Sequence, residues 1–320
     1  MFFFVFVGCA ALLHGIDGKA AQLSPFYSTA NDIDKVWTQW LTSPPAIPVQ
    51  AAENLTERAD KLAVQLSNTT LNVTGALDVV VSGGGNLDAY FLGGYMILRR
   101  VQEMGKLNIS RFAGASAGGM MPFELLLKGE NSTLVEHLSY GFLEQTFPKS
   151  FANMLEAAAT QDHHWRIMAK WMVTTFAQKL SSLDDRVFLA LSCLDPLTKL
   201  VIVSKFTSPT QAEHAFMATG TFFEEYDGMP CSDGGAMSGP RMTPLFQDHA
   251  RNQLVVDLMR TGRPTTQVSR INMTQYKTLV ELGQDEMVRF LQVGTCREDA
   301  ISLCPAKSNV KTMVCKNSRL

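Results

Sequence analysis

ALDVVVSGGGNLD at residues 76–88 and NISRFAGASAGG at residues 108–119 decide the fold class of this chain. LDVVV, residues 77–81, is a β-branched run without alternation, as expected of a strand buried in a parallel sheet, and it stops abruptly at three glycines. Leu92, Tyr95, Met96, Arg99 and Arg100 then fall at helical spacing, and Gly105 suits the position just past a helix end. A second short strand, near Ile109–Ala113, ends in the turn GASAGG and leads into a helix through MPFELLL. Strand, glycine loop, helix, strand, tight turn, helix is the alternation of a layered α/β domain with a mostly parallel central sheet.

Downstream, residues 131–180 are rich in Met, Phe and Trp and lack strand-like alternation, which predicts several helices. Trp165, Met168, Met172 and Phe176 mark one helical stripe, read first as core packing and second as the lining of an acyl-chain pocket. Arg186–Cys193 and Lys199–Lys205 read as strands of a hairpin joined by LDPLT. A helix over Thr210–Ala218 leads into a loop, TGTFFEEYDGMPCSDGG, followed by a buried strand near Leu254 and a closing helix over Tyr276–Gln292. Upstream, helical stretches at Asp32–Leu41 and Ala51–Leu66 flank the breaker run SPPAIP. The expected division is a signal peptide at 1–20, a helical N-terminal extension at 21–75, the α/β domain at 76–293 and a Cys-containing tail at 294–320.

The chain has 320 residues, 46% of them hydrophobic and 18% charged, which suits one large globular domain with extensions. A formal charge of -2 supplies no basic field for a polyanion, so nucleic acid is not an expected partner. The N-terminus is an apolar block without acidic groups, followed by Gly18 and Ala20 at the small-residue positions that signal peptidase reads, and predicts entry into the secretory pathway. Asn54, Asn68, Asn72, Asn108, Asn131 and Asn272 each open an Asn-x-Ser/Thr triplet, against about two expected by accident, and are candidate glycan sites. With Cys9 removed, Cys193, Cys231, Cys296, Cys304 and Cys315 remain, an odd set whose pairing the sequence does not fix. No metal-ligand spacing is present: there is no CxxC and no HExxH, and His163 and His164 are adjacent rather than four apart.

Three pieces carry chemistry. Gly114-Ala115-Ser116-Ala117-Gly118 is GxSxG at a strand-to-helix junction, where the turn strains the serine backbone and exposes its hydroxyl at the carboxyl edge of the sheet. Gly83, Gly84 and Gly85 follow a buried strand and precede a helix, so their N–H groups can approach a ligand oxygen closely. The phosphate-loop and dinucleotide patterns both fail here, which leaves an oxyanion hole. Asp233-Gly234-Gly235 sets a carboxylate before two residues small enough for another backbone to pack against. Ser116 needs a base within hydrogen-bond reach, and Asp233 is the candidate.

In combination, from about Asp78 to Arg260, these motifs resemble the patatin-like phospholipase family. The resemblance implies a three-layer α/β/α patatin-like fold with a mostly parallel central sheet, preceded here by the helical extension. It implies a Ser116–Asp233 dyad without histidine, oxyanion amides from Gly83, Gly84 and Gly85, and hydrolysis of phospholipid or neutral glycerolipid esters through an acyl-serine. No metal or cofactor is implied, and contact with a membrane or lipid-droplet surface is. Asp88 departs from the pattern, since the family usually has glycine there. It is expected to cap the following helix; pointing into the site, it would oppose an oxyanion. Two competing readings are an α/β-hydrolase triad of Ser116, Asp233 and His249, and a silent lipid-binding or scaffolding protein.

Overall fold

The structure is a computed structural model that describes residues 39–146, 163–221, 224–234, 251–261, 271–297 and 300–304. The signal peptide, Gly235, His249, Cys315 and the Cys304 side chain lie outside the described residues.

The elements begin with helix α1 (Ala46–Ser67), then strand β1 (Gly75–Val81), α2 (Asp88–Glu103), β2 (Leu107–Ala115), α3 (Ala117–Lys128) and α4 (Glu130–Thr146). After α5 (His163–Thr175) come the hairpin β3 (Val187–Asp195) and β4 (Leu197–Val203), then α6 (Pro209–Gly220). A second hairpin, β5 (Glu224–Tyr226) and β6 (Met229–Asp233), precedes β7 (Asn252–Val256), α7 (Met273–Val293) and β8 (Ile301–Cys304). The eight strands form one mixed sheet, with hydrogen-bonded neighbours in the order β5-β6-β3-β2-β1-β7-β8 and β4 paired to β3. Its centre, β7-β1-β2-β3, is parallel, while β4, β6 and β8 join antiparallel.

This is an α/β fold with a mixed sheet flanked by helices. On one sheet face Leu77, Val79, Val81, Phe112, Leu254 and Val256 pack with α1, α2, α4 and α7, and Leu189, Leu191 and Cys193 pack with α3, α5 and α6. Val80, Ala113, Ala115, Ala190 and Val255 on the other face are buried as well, in a cluster of their own. That arrangement is compatible with three layers. Asp78, fully buried inside β1, is held by Arg111 of β2 through a bidentate pair, so its charge is compensated within the sheet.

Several sequence expectations need correction. The SPPAIP run does separate helical residues 39–42 from α1, but α1 starts inside it rather than at Ala51, with Pro45 as N-cap and Pro48 buried in the first turn, where the missing proline N–H leaves no helical bond unmade. The described part of the upstream stretch, residues 39–42, is helical. The expected loop over 219–235 contains the β5–β6 hairpin, turned at Asp227-Gly228 with φ of 52° and 72°. An Asp-Gly pair between strands is a hairpin signal. The C-terminal tail adds β8 to the sheet edge beside β7. α1 also packs its Ala52, Leu55, Ala59 and Leu66 face into the main core, and Arg58 bonds Gln284 and Asp285 of α7.

Of the candidate glycan positions, Asn54, Asn68, Asn72, Asn108 and Asn131 are exposed, whereas Asn272 is half-buried and serves as the N-cap of α7 in a capping box with Gln275. Cys193 and Cys231 form a disulfide, compatible with an oxidising compartment. Cys296 is buried and its sulfur bonds the Ile301 backbone. Among the described residues no helix is long and apolar enough to cross a membrane. Met168 and Met172 are buried in the second core cluster with Trp165 and Phe176 packed against them, which favours the packing account of that stripe.

Candidate active site

Ser116 follows the last residue of β2 and serves as N-cap of α3, at φ 54° and ψ -141°. Such a conformation is strained for a residue with a side chain and persists only where the surroundings impose it. They do so here through glycine. A Cβ on Gly114 would lie 2.1 Å from Gly118 O, and one on Gly118 would lie 2.3 Å from both Ser82 O and Val81 O. The turn thus brings α3 against β1 and β2 more closely than any other residue type allows. Ser116 N–H donates to Thr219 O at 2.9 Å, and Ser116 O accepts from Gly119 and Met120, so the half-buried serine is fixed from both sides.

The triple-glycine bend lies directly against it. A Cβ at Gly83 would be 3.0 Å from Ser116 Cβ and 3.7 Å from Ser116 Oγ; one at Gly84 would meet Leu258 Cβ at 2.7 Å. Ser82 anchors the start of the bend, its N–H donating to Val256 O and its Oγ accepting from Leu258 N–H at 2.8 Å. Gly85, at φ 52°, opens the short 3-10 turn through Leu87 that runs into α2.

Asp233 ends β6. Its N–H donates to Thr221 O at 2.8 Å, and its carbonyl accepts from Ser192 Oγ at 3.0 Å. A Cβ on Gly234 would be 2.1 Å from Ala190 O, so the chain leaves the strand hard against β3.

Register brings Ser116 and Asp233 together. Leu189 and Ala190 of β3 pair with both β2 and β4, and Leu191 pairs with both β6 and β4. A strand has two edges, so β4 holds one, and β2 and β6 share the other end to end. β2 runs parallel to β3 and β6 antiparallel, so their C-terminal ends converge: Ala115 opposite Ala190, Asp233 opposite the next residue, Leu191. Ser116 and Asp233 also bond to carbonyls two residues apart on the Thr219–Thr221 segment, and Thr219 Oγ1 in turn donates to Ala190 O.

Asp88 does not cap α2. It lies in the first turn, Leu87 is the N-cap residue, and no side-chain cap bond is made. Its carboxylate is buried instead, with Oδ2 4.0 Å from His137 Nδ1, and burial pushes it up to about 7 against the opposing pull of His137. His137 Nε2 is 3.1 Å from Glu124 Oε2, and Lys128 Nζ lies 2.9 Å from Glu124 and 2.6 Å from Glu136. Ligand atoms of Glu124, Glu136 and His137 all fall within 4.8 Å of one another, but the Lys128 ammonium already balances the two glutamates from inside the group. It is a buried ion cluster rather than a cation site. The Glu124/Lys128 spacing of four residues was visible in sequence; that His137 and Asp88 join the pair was not.

Comparison with known proteins finds no family model that matches the chain and no curated protein that matches it.

Proposed function

We propose that the chain is a serine acyl hydrolase of patatin-like architecture that cleaves ester bonds of phospholipids or neutral glycerolipids, acting in the secretory pathway. The observation that carries this reading is the convergence of β2 and β6 on one edge of β3, which brings the backbones of a strained serine and an aspartate to neighbouring positions beside a glycine bend. Asp233 accepts the Ser116 Oγ proton as Oγ attacks the ester carbonyl carbon. Negative charge gathers on the carbonyl oxygen, where the Gly83, Gly84 and Gly85 amides donate and the N-terminus of α3 adds a favourable field. Collapse expels the alcohol or lysolipid, which takes its proton from Asp233 and leaves an acyl-serine. Water, deprotonated by Asp233, attacks that ester and releases the fatty acid and the serine hydroxyl.

Asp88 was the reason to consider a catalytically silent relative. Its enclosure beside His137 pairs the negative charge that would otherwise have opposed an oxyanion. A lipid surface fits the placement of the β3–β4 hairpin, which runs on past the level of Ser116 with Leu194, Leu197 and Leu200 exposed at 51%, 78% and 41%. Incubation of the protein and its Ser116→Ala form with mixed glycerolipids tests the reading: fatty acid is released by the first and not the second. Equal release, or none from either with no fluorophosphonate adduct on Ser116, overturns it. His249→Ala, expected to turn over normally, separates the dyad from a triad.

A further inference from the structure

Three helices bury a line of charge beneath the glycine bend. Asp88 opens α2 after the bend, Glu124 and Lys128 lie one turn apart on α3, whose N-cap is Ser116, and Glu136 and His137 are consecutive on α4. Tyr276 of α7 lays its ring against the imidazole, with centroids 5.5 Å apart. Lys128 is one positive charge among three carboxylates. A protonated His137 supplies a second, and it is the group that stands between Asp88 and Glu124. Burial alone would lower the imidazole, but Glu124, and after it Asp88, hold it up to about 9.

This arrangement matters because the three glycines of the bend have no side chains to fix their offset from the serine: Ser82 anchors the start of the bend, and Asp88 follows its end. Gly83 lies so close to Ser116 that a Cβ there would be 3.0 Å from the serine Cβ, and amide donors lose much of their effect if displaced from a developing oxyanion. α2 and α3 carry the two halves of the site at their N-termini. Asp88 Oδ1 is buried and has no hydrogen-bond partner among the described residues, so attraction between Oδ2 and His137 is a hold on the foot of the bend beside the backbone bonds of its 3-10 turn.

We propose that His137 is a positioning residue of the site: as an imidazolium between Asp88 and Glu124, it sets the triple-glycine bend at a fixed distance from the serine turn. The kinetic consequence rests on the acyl-hydrolase reading; the structural one does not. Loss of the imidazole proton leaves a buried Asp88 carboxylate facing a neutral ring, while Lys128 continues to hold Glu124 and Glu136. The α2 end of the bridge therefore releases and the α3 end does not.

The test measures kcat and KM for p-nitrophenyl butyrate from pH 7 to 10 with the wild type, His137→Gln, Asp88→Asn and the double variant. Wild-type kcat falls as pH rises through about 9. His137→Gln lowers kcat about tenfold at pH 8 with KM within about twofold, and its profile is flat on the alkaline side. Asp88→Asn, which leaves no buried charge at position 88 and folds even if His137→Gln does not, also loses the alkaline fall. The double variant regains at least about threefold in kcat over His137→Gln, because two amides satisfy each other. A histidine that only packs would lower the melting temperature and leave the wild-type alkaline limb in place in every folded variant, which overturns the proposal. If the wild type neither hydrolyses esters nor labels at Ser116, the functional reading fails, and hydrogen exchange decides the inference separately. Peptides covering residues 82–88 then exchange about tenfold faster in the variants at pH 8 while those covering 75–81 are unchanged; equal exchange over 82–88 overturns it.

Discussion

Ser116 stands at φ 54° because Gly114, Gly118 and the β1 carbonyls leave its turn no other path. Strain of this kind costs on the order of 1–3 kcal/mol, and it holds Oγ at the mouth of a bend whose first glycine lies 3.7 Å away at the Cβ position. Two outcomes follow at this scale. Gly83→Ala pushes a methyl group against Ser116 and shifts an oxyanion donor, so kcat should fall about 100-fold with a melting temperature close to wild type, read by ester hydrolysis and calorimetry. Gly234→Ala places its methyl 2.1 Å from the backbone oxygen of Ala190, which no side-chain rotation relieves, so it should destabilise by about 1–3 kcal/mol in urea denaturation. A Gly234→Ala protein of unchanged stability would mean that β6 can leave β3 without loss.

β6 is a five-residue strand, and it bears the candidate base at its last position. The Cys193–Cys231 disulfide joins it to β3 two pairs of residues from the Leu191–Asp233 pair that positions the aspartate. Ser192 Oγ adds a bond to the Asp233 carbonyl between them. Replacing both cysteines by alanine should lower stability by about 2–4 kcal/mol and should also slow turnover per folded molecule, because a short edge hairpin loosened at Cys231 moves Asp233 relative to Ser116. Thermal denaturation alongside active-site titration separates the two effects. Turnover unchanged in the folded fraction would assign the disulfide to stability alone. The β5–β6 hairpin was legible as the Asp227-Gly228 turn between β-formers, yet its place on β3 was not, since nothing local tells an antiparallel hairpin which edge to join.

For the whole molecule, the buried charges make stability depend on pH. Asp88 is pushed up from 3.8 to about 7 by burial, so what it contributes to the folded state is present below 3.8 and lost as pH rises to about 7. His137, up from 6.5 to about 9, contributes below 6.5 and loses that as pH rises toward 9. Glu124 is driven down from 4.5 to about 2 by Lys128 and His137 despite its burial, so its contribution holds above 4.5 and is lost on acidification. For these three groups, denaturant midpoints should therefore peak at about pH 4 and decline toward pH 9. Asp88→Asn should remove the part of the decline below about 7, and His137→Gln the part above it. The sequence by itself determined the α/β layering, through β-branched runs that stop at glycines, and the three motifs, because close backbone approach restricts residue choice at each local turn. Tertiary structure decided how those motifs meet and what lies beneath them. Sharing of one β3 edge by β2 and β6, the entry of α1 and β8 into the core and sheet, and the Asp88–His137–Glu124 bridge all depend on contacts between residues far apart in the chain. Local propensity and spacing carry no record of such contacts.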